Sequence, residues 1–321
     1  MLRRMFQSGR WVLALTLVVV LSYWKIVFTK QFTILWLWEM VSQYYAWCTY
    51  AATYIRKGVV PLWDPFRYGG VSFNGEMQAG FFYPFKLALY LAPFDRNGLL
   101  SERAFNEFYV FSHWLAAFLM FVLVRYLKLG NLAALAAGIC FGLGGFVQWT
   151  AWLNLLDAMP WLPLVVLFVL RTFESGRLVR QFTNACAAGL ALGMTFLAGG
   201  LHIAMMDILV AASLTAYLWL SKRENRSIFW VAAVLGAIVL TSVLFGAVQH
   251  EVLCRAAQDA IRQDGAVRGV REIWATCRYI LECRWRQDGE ECGVILQDKL
   301  GIDAGSAAIE IEIDVLGAGR G

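Results

Sequence analysis

Seven apolar runs of spanning length recur along residues 1–250, at 11–28, 105–124, 132–149, 152–170, 182–198, 203–220 and 228–248, and they constrain the fold more than anything else in the chain. At ~1.5 Å per residue, each covers most or all of a hydrocarbon layer ~30 Å thick. Unpaired backbone groups cost several kcal/mol each in lipid, so every such run must be helical. The connectors give an independent test. If the N-terminus, with Arg3, Arg4 and Arg10, is cytoplasmic, the inside loops carry Arg125 and Lys128, then Arg171, Arg177 and Arg180, then Lys222, Arg223 and Arg226. The short outside connectors near Ala151 and Gly200 carry no Lys or Arg, which is the alternation that the positive-inside rule demands. The expected fold is all-α: a polytopic bundle of about seven spans, with 81–91 too short to cross and read as a re-entrant or interfacial piece.

Ser22, Tyr23, Trp24 and Lys25 stand where a small-residue cleavage site would follow a signal peptide, so the first run reads as an uncleaved anchor, with Lys25 reaching for the outer interface. Composition agrees: 60% of the residues are hydrophobic, against ~45–50% in a water-soluble domain. The net charge of +5 is uneven, with 19 Lys/Arg and 10 Asp/Glu in residues 1–250 but 9 and 13 in residues 251–321. A basic excess on the apolar part is a topology signal and implies no nucleic-acid partner. The division puts a transmembrane domain at 1–249, with a long extracytoplasmic loop at 29–104, and a polar segment at 250–321. No CxxC pair occurs among the seven cysteines, and those of the tail (Cys254, Cys277, Cys283, Cys292) have no zinc-site spacing.

The candidate chemistry lies in the loop. Tyr44, Trp47, Ala51, Tyr54 and Ile55 recur at spacings of three and four, which predicts an amphipathic helix lying on the outer leaflet. Glu39 stands at its head with Gln43 one turn later, and two readings fit: a positioned base or metal-binding carboxylate, or a solvated acid favoured by the helix dipole. Beyond it, Pro61, Pro65 and Pro84 restrict the chain and Gly69, Gly70, Gly75 and Gly80 permit tight turns, so the loop should be built. Asp64, Asn74, Glu76 and Gln78 supply polar groups, Arg67 and Lys86 positive charge, and Trp63, Phe66 and Tyr68 faces on which a sugar can stack.

Two further outside features fall at the same level of the membrane. Asn154 and Asp157 sit at the mouth of a span whose Pro160 and Pro163 break regular helix. His202 follows a Gly pair, and Asp207 lies inside the next span, where a carboxylate costs roughly 2.5–3.5 kcal/mol on insertion scales and must be paired, neutral or facing a wet cavity. His202 reads either as the partner of Asp207 or a phosphate contact, or as a histidine satisfied by helix backbone. His113 reads as a packing residue.

The order Glu39, SQYY, G-x-x-PLWDP, Gly69-Gly70, Gln78 with FFYP, FGLGGF, WLN, WLPL and LAGG-L-H resembles the YfhO-like family of bacterial membrane proteins, grouped with the GT-C glycosyltransferases, over residues 24–249. The resemblance implies a multi-pass enzyme of the bacterial inner membrane. It would move a sugar from a polyprenyl-phosphate carrier to a cell-envelope glycan on the outer face. It also implies that an acid early in the first outside loop is the catalytic base or a metal-linked carboxylate; Glu39 fills that position and Asp64 is second choice. A divalent cation is a possible cofactor, although the paired acidic motif of better-known members is absent. Substrate contacts would come from Gln43, Trp63, Arg67, Tyr68, Asn74, Gln78, Lys86, Asn154, Asp157 and His202.

The resemblance stops near Gln249. The segment beyond it predicts helical stretches at 252–260 and 273–283 and a strand at 309–313, and its abrupt change in charge and cysteine content favours a truncated or frame-shifted product over a small extra domain. Two other functions remain in view. A carrier or flippase for a lipid-linked substrate would place ionisable groups near the midplane and show paired repeats, whereas only Asp207 and no repeat is found. A non-catalytic membrane scaffold is the other.

Overall fold

The structure, a computed structural model, describes residues 2–29, 31–67, 70–73, 75–222 and 227–262. The chain divides into two units, Met1–Ala256 and Ala257–Gly321, and the first contains all but the last few described residues. That unit is mostly helical. In chain order the helices are α1 (Leu2–Ser22), α2 (Trp24–Phe28), α3 (Ala46–Ile55, entered through a π-turn at Met40–Tyr45), α4 (Pro84–Tyr90), α5 (Glu102–Tyr126), α6 (Asn131–Gly142), α7 (Gly145–Trp149), α8 (Leu153–Ala158), α9 (Leu162–Glu174), α10 (Leu178–Leu197), α11 (Leu201–Lys222) and α12 (Ile228–Arg262). The two short strands β1 (Trp63–Asp64) and β2 (Val71–Ser72) pair antiparallel.

Four helical stretches are long and apolar enough to cross a membrane: Glu102–Tyr126, Leu153–Glu174, Leu201–Ser221 and Ile228–Gly246. The chain is therefore mostly helical, with four candidate membrane-spanning helices, consistent with an all-α membrane bundle. The other three expected runs also form helix, with differences. The first run bends at Tyr23 and leaves Gly9–Ser22 as its apolar stretch, while the third is broken at the Leu143–Gly144 turn, so that α6 has 12 residues. The fifth lies in α10, whose first two turns carry Arg180, Gln181 and Asn184. Pro160 and Pro163 do interrupt regular helix, but only by a 3₁₀ turn at Met159–Trp161 that joins α8 to α9. Past Gln249, α12 continues unbroken to Arg262, so the expected helix at 252–260 is present; 273–283 and 309–313 lie outside the described residues.

α5 is the central element. Ser101 caps it by accepting from the Ala104 N–H at 3.4 Å, and Glu102 in its first turn opposes the helix dipole. α6 packs tightly along it, since an added Cβ on Gly142 would stand 2.6 Å from the Ala117 Cβ. Such small-residue contacts are how helices approach closely when lipid is the alternative neighbour. His113 on α5 is sealed between Gly142, whose carbonyl accepts from Nδ1 at 2.8 Å, and Tyr23, whose hydroxyl lies 3.0 Å from Nε2. A carbonyl only accepts, so the proton sits on Nδ1 and Tyr23 donates; this is the packing histidine the sequence suggested.

The segment between α2 and α5 corrects the expectation of a helix lying on lipid. Met40, Tyr44, Trp47, Cys48, Ala51 and Ala52 are buried in the same hydrophobic core as α5, so the apolar stripe faces protein. What makes this possible is the rest of the loop folding back over it. Phe73, Phe81, Tyr83 and Tyr90 join that core, and the Arg56 guanidinium donates to the Leu91 and Ala92 carbonyls at the end of α4 while its Cζ lies 4.1 Å from the Phe94 ring centroid. The loop is built, as its prolines and glycines imply.

Candidate functional site

A cleft of about 670 Å³ opens beside the π-turn, lined by Trp38, Glu39, Ser42, Gln43, Ala46, Trp47 and Tyr50 from one helical wall and Asp64, Phe66 and Arg67 from the other. That volume falls in the range of small-ligand pockets, about 300–1,000 Å³. The helical wall depends on the π-turn. With 3.6 residues per turn, a step of four overshoots by about 40°, so residues 38, 42, 46 and 50 would drift around an ordinary helix. The wider π-turn, with its i→i+5 bonds, takes up part of that drift and keeps them on one side. Such turns recur at functional sites.

The second wall is fixed by backbone. Asp64 pairs across the ladder with Val71, the Phe73 N–H donates to the Leu62 carbonyl at 3.0 Å, and the Tyr50 hydroxyl donates to the Trp63 carbonyl at 2.6 Å. Burial and the neighbouring Tyr54 hold the Tyr50 phenol above its ordinary pKa, so it remains a donor. Asp64 Oδ1 accepts from the Phe66 N–H at 3.0 Å, a local turn that holds the carboxylate in place although only 4% of the residue's surface is exposed. Arg67 lays its guanidinium over Trp47, 4.8 Å from the ring centroid, and meets Glu76 at 3.4 Å. Glu39 is half-buried, and among the described residues no hydrogen bond or ion pair holds it. Two carboxylates, one guanidinium, one amide and four aromatic rings therefore surround one space.

The structure brings together four of the predicted site residues, Glu39, Asp64, Gln43 and Arg67, and moves others away. Lys86 and Asp157 are corrected most clearly. Neither is at a surface: both side chains are fully buried, and Lys86 Nζ lies 3.2 Å from Asp157 Oδ2 while it donates to the Ala79 carbonyl at 3.0 Å. Asp157 Oδ1 accepts from Ser112 at 2.7 Å. A buried ammonium and carboxylate must satisfy one another, and here they fasten α4 to α8. Asn154 is likewise buried, accepting from the Tyr44 hydroxyl at 2.6 Å and donating to the Gly199 carbonyl at 3.1 Å. Gln78 is in the turn that packs on Gly199, Trp63 shields Gly70, and neither lines the cleft. His202 is exposed at the start of α11 and is not the partner of Asp207, which instead accepts from Thr195 at 3.1 Å. Tyr68 and Asn74 lie outside the described residues.

Trp38, Ser42, Ala46 and Tyr50 were not singled out from the sequence. Their four-residue spacing was the available signal, but it runs beside the more conspicuous aromatic stripe that faces the core. Cys48 sits just behind the cleft with its thiol pushed up to about 12 by burial, so it supplies no nucleophile. No cluster of three or more His, Cys, Asp or Glu able to hold a metal occurs among the described residues.

Beyond the cleft, two segments meet with almost no side chain between them. Gly80 and Gly199 both have positive φ, +55° and +85°; an added Cβ on Gly199 would stand 2.3 Å from the Met77 carbonyl oxygen, and one on Gly80 2.6 Å from that of Ala198. The loop before α4 and the α10–α11 turn thus touch backbone to backbone, and only glycine allows it. No protein family, curated protein or solved structure matches the chain.

Proposed function

We propose that this protein is a YfhO-like membrane glycosyltransferase of the GT-C class, with seven spans, a cytoplasmic N-terminus and the cleft on the outer face of a bacterial inner membrane. It would transfer a sugar from a polyprenyl-phosphate donor to a cell-envelope glycan. The observation that carries the reading is the cleft itself, in which the acid singled out by the motif order, Glu39, shares a space with Asp64, Arg67 and the rings of Trp38, Trp47, Tyr50 and Phe66. A lipid-phosphate donor has its reacting bond at the headgroup level, and these are the groups such a bond needs. The acceptor hydroxyl attacks the anomeric carbon and passes its proton to Glu39. The bond from that carbon to the phosphate oxygen breaks, and polyprenyl phosphate leaves with the electron pair. Arg67 is the cation placed to steady that leaving charge, since Lys86 is neutralised in the interior. The aromatic walls hold the sugar, and Asp64 orients a hydroxyl.

The test is transfer of labelled sugar from polyprenyl-phosphate carrier to envelope glycan by membranes containing the full-length protein. Glu39→Gln should lower the rate roughly 100-fold or more, the ordinary worth of a general base. Transfer that is unchanged in the variant would remove the assignment of the base, and no transfer by the parent protein would remove the enzyme reading in favour of a scaffold.

A further inference from the structure

We infer that Asn154 is a positioning residue for this cleft, acting through Tyr44 on the π-turn that presents Glu39 and Gln43; the inference rests on reading the cleft as the transfer site. The path is short and fully buried. Tyr44 lies inside the π-turn, next to Gln43, and is 1% exposed; Asn154, on α8, is 2% exposed. The directions of the two bonds are fixed by chemistry. The Gly199 carbonyl can only accept, so Asn154 turns Nδ2 towards it and Oδ1 towards Tyr44, which must then donate. Burial, followed by the charges of Asp157, Glu76 and Glu39, holds the Tyr44 phenol above its ordinary pKa, which keeps it a donor.

A π-turn is rare and needs outside support. This one has buried Met40 and Tyr44 beneath it, the Tyr45 hydroxyl donating to the Leu100 carbonyl, and the Tyr44–Asn154 bond. The last of these alone connects the turn to α8 and the α10–α11 turn, the point at which Gly199 meets the loop before α4. Removing it leaves a buried acceptor without its donor and frees the turn to relax towards an ordinary α-helix. Gln43 and Glu39 would then rotate relative to Asp64, whose place is set independently by the β1–β2 pair.

The experiment uses full-length protein in membranes carrying Tyr44→Phe, Asn154→Ala or both, with two readouts. The first is steady-state sugar transfer: each single variant should lose about 10–100-fold in kcat, the scale of a small misplacement of a reacting group, with donor KM held within about threefold. The double variant should be no worse than either single one. The second readout does not need activity. A cysteine placed by Gln43→Cys is labelled with a membrane-impermeant maleimide, against the parent chain with only its native thiols and against Asn97→Cys, exposed in the turn before α5 and away from the cleft. Tyr44→Phe or Asn154→Ala should change the Gln43→Cys rate several-fold and leave Asn97→Cys unchanged. The inference is overturned if labelling at Gln43→Cys does not move, or if both positions change together with a fall in thermal stability, the mark of a merely structural bond. If the parent protein transfers no sugar, the enzyme reading falls, and the labelling still decides whether Asn154 sets the turn.

Discussion

Of the four helices long and apolar enough to cross a membrane, two are deeply built in and two are not. Of their most apolar windows, 67% of that in Glu102–Tyr126 and 61% of that in Leu153–Glu174 is buried, against 22% for Leu201–Ser221 and Ile228–Gly246. The cores differ in kind as well. The one around α5 and the loop contains Tyr44, Trp47, Phe73, Phe81, Tyr83, Tyr90, Phe105 and Trp161, whereas that of α9–α12 is mostly Ala, Val, Leu and Ile with Phe173 its one buried aromatic residue among those described. In lipid, exposing Leu209, Val239 or Leu244 costs nothing, because acyl chains are as apolar as the interior, so α11 and α12 need only partial contact. The loop has no such solvent on all sides. It must be held by burial, ring packing and satisfied polar groups, and so the protein's water-type core has formed around the segment that carries the cleft.

That contrast predicts a steep ranking of substitutions. Lys86→Met should be the most damaging, at about 3–5 kcal/mol, because it strands the Asp157 carboxylate in the interior. Thermal unfolding in detergent should show a large drop in Tm, and the double variant Lys86→Met with Asp157→Leu should recover much of it; failure to recover would mean that the pair does not face itself alone. Next comes Gly199→Ala, with about 1–2 kcal/mol for the left-handed backbone before the contact with the Met77 carbonyl is counted. Cys48 gives a milder probe of the same core. Its thiol should resist maleimide at pH 8 until the protein is unfolded. Its folded pKa of about 12 lies above the ordinary 9.0, so its contribution to stability is whole below pH 9 and is lost as pH rises towards 12. The smallest effect belongs to Leu209→Ala or Leu244→Ala, within about 0.5 kcal/mol if lipid is their neighbour. A large effect there would erase the distinction between the two regions.

How much of this was legible tracks the same division. Apolar character and length place the four long candidate spans to within a few residues. The cleft was half legible: Glu39, Gln43, Asp64 and Arg67 are the acids, amide and cation of a short stretch, and proximity in sequence helped to gather them. Lys86 and Asp157 read as substrate contacts in the sequence because their pairing joins distant segments, and nothing local distinguishes a lysine that binds a ligand from one that closes an interior. The aromatic stripe of 44–55 is plain in the sequence, but whether protein or lipid covers it is not, since both are apolar. The π-turn leaves no side-chain signature at all. The hydroxyls of Tyr44 and Tyr45 within it bond to Asn154 and Leu100, residues far along the chain.

The backbone contact between the Met77–Gly80 turn and Ala198–Gly199 has one more consequence. Where side chains interpose, a shift of one element is absorbed by rotation about their bonds. Here no such cushion exists, so a tilt at the end of α10 or the start of α11 meets the stretch preceding α4 backbone against backbone.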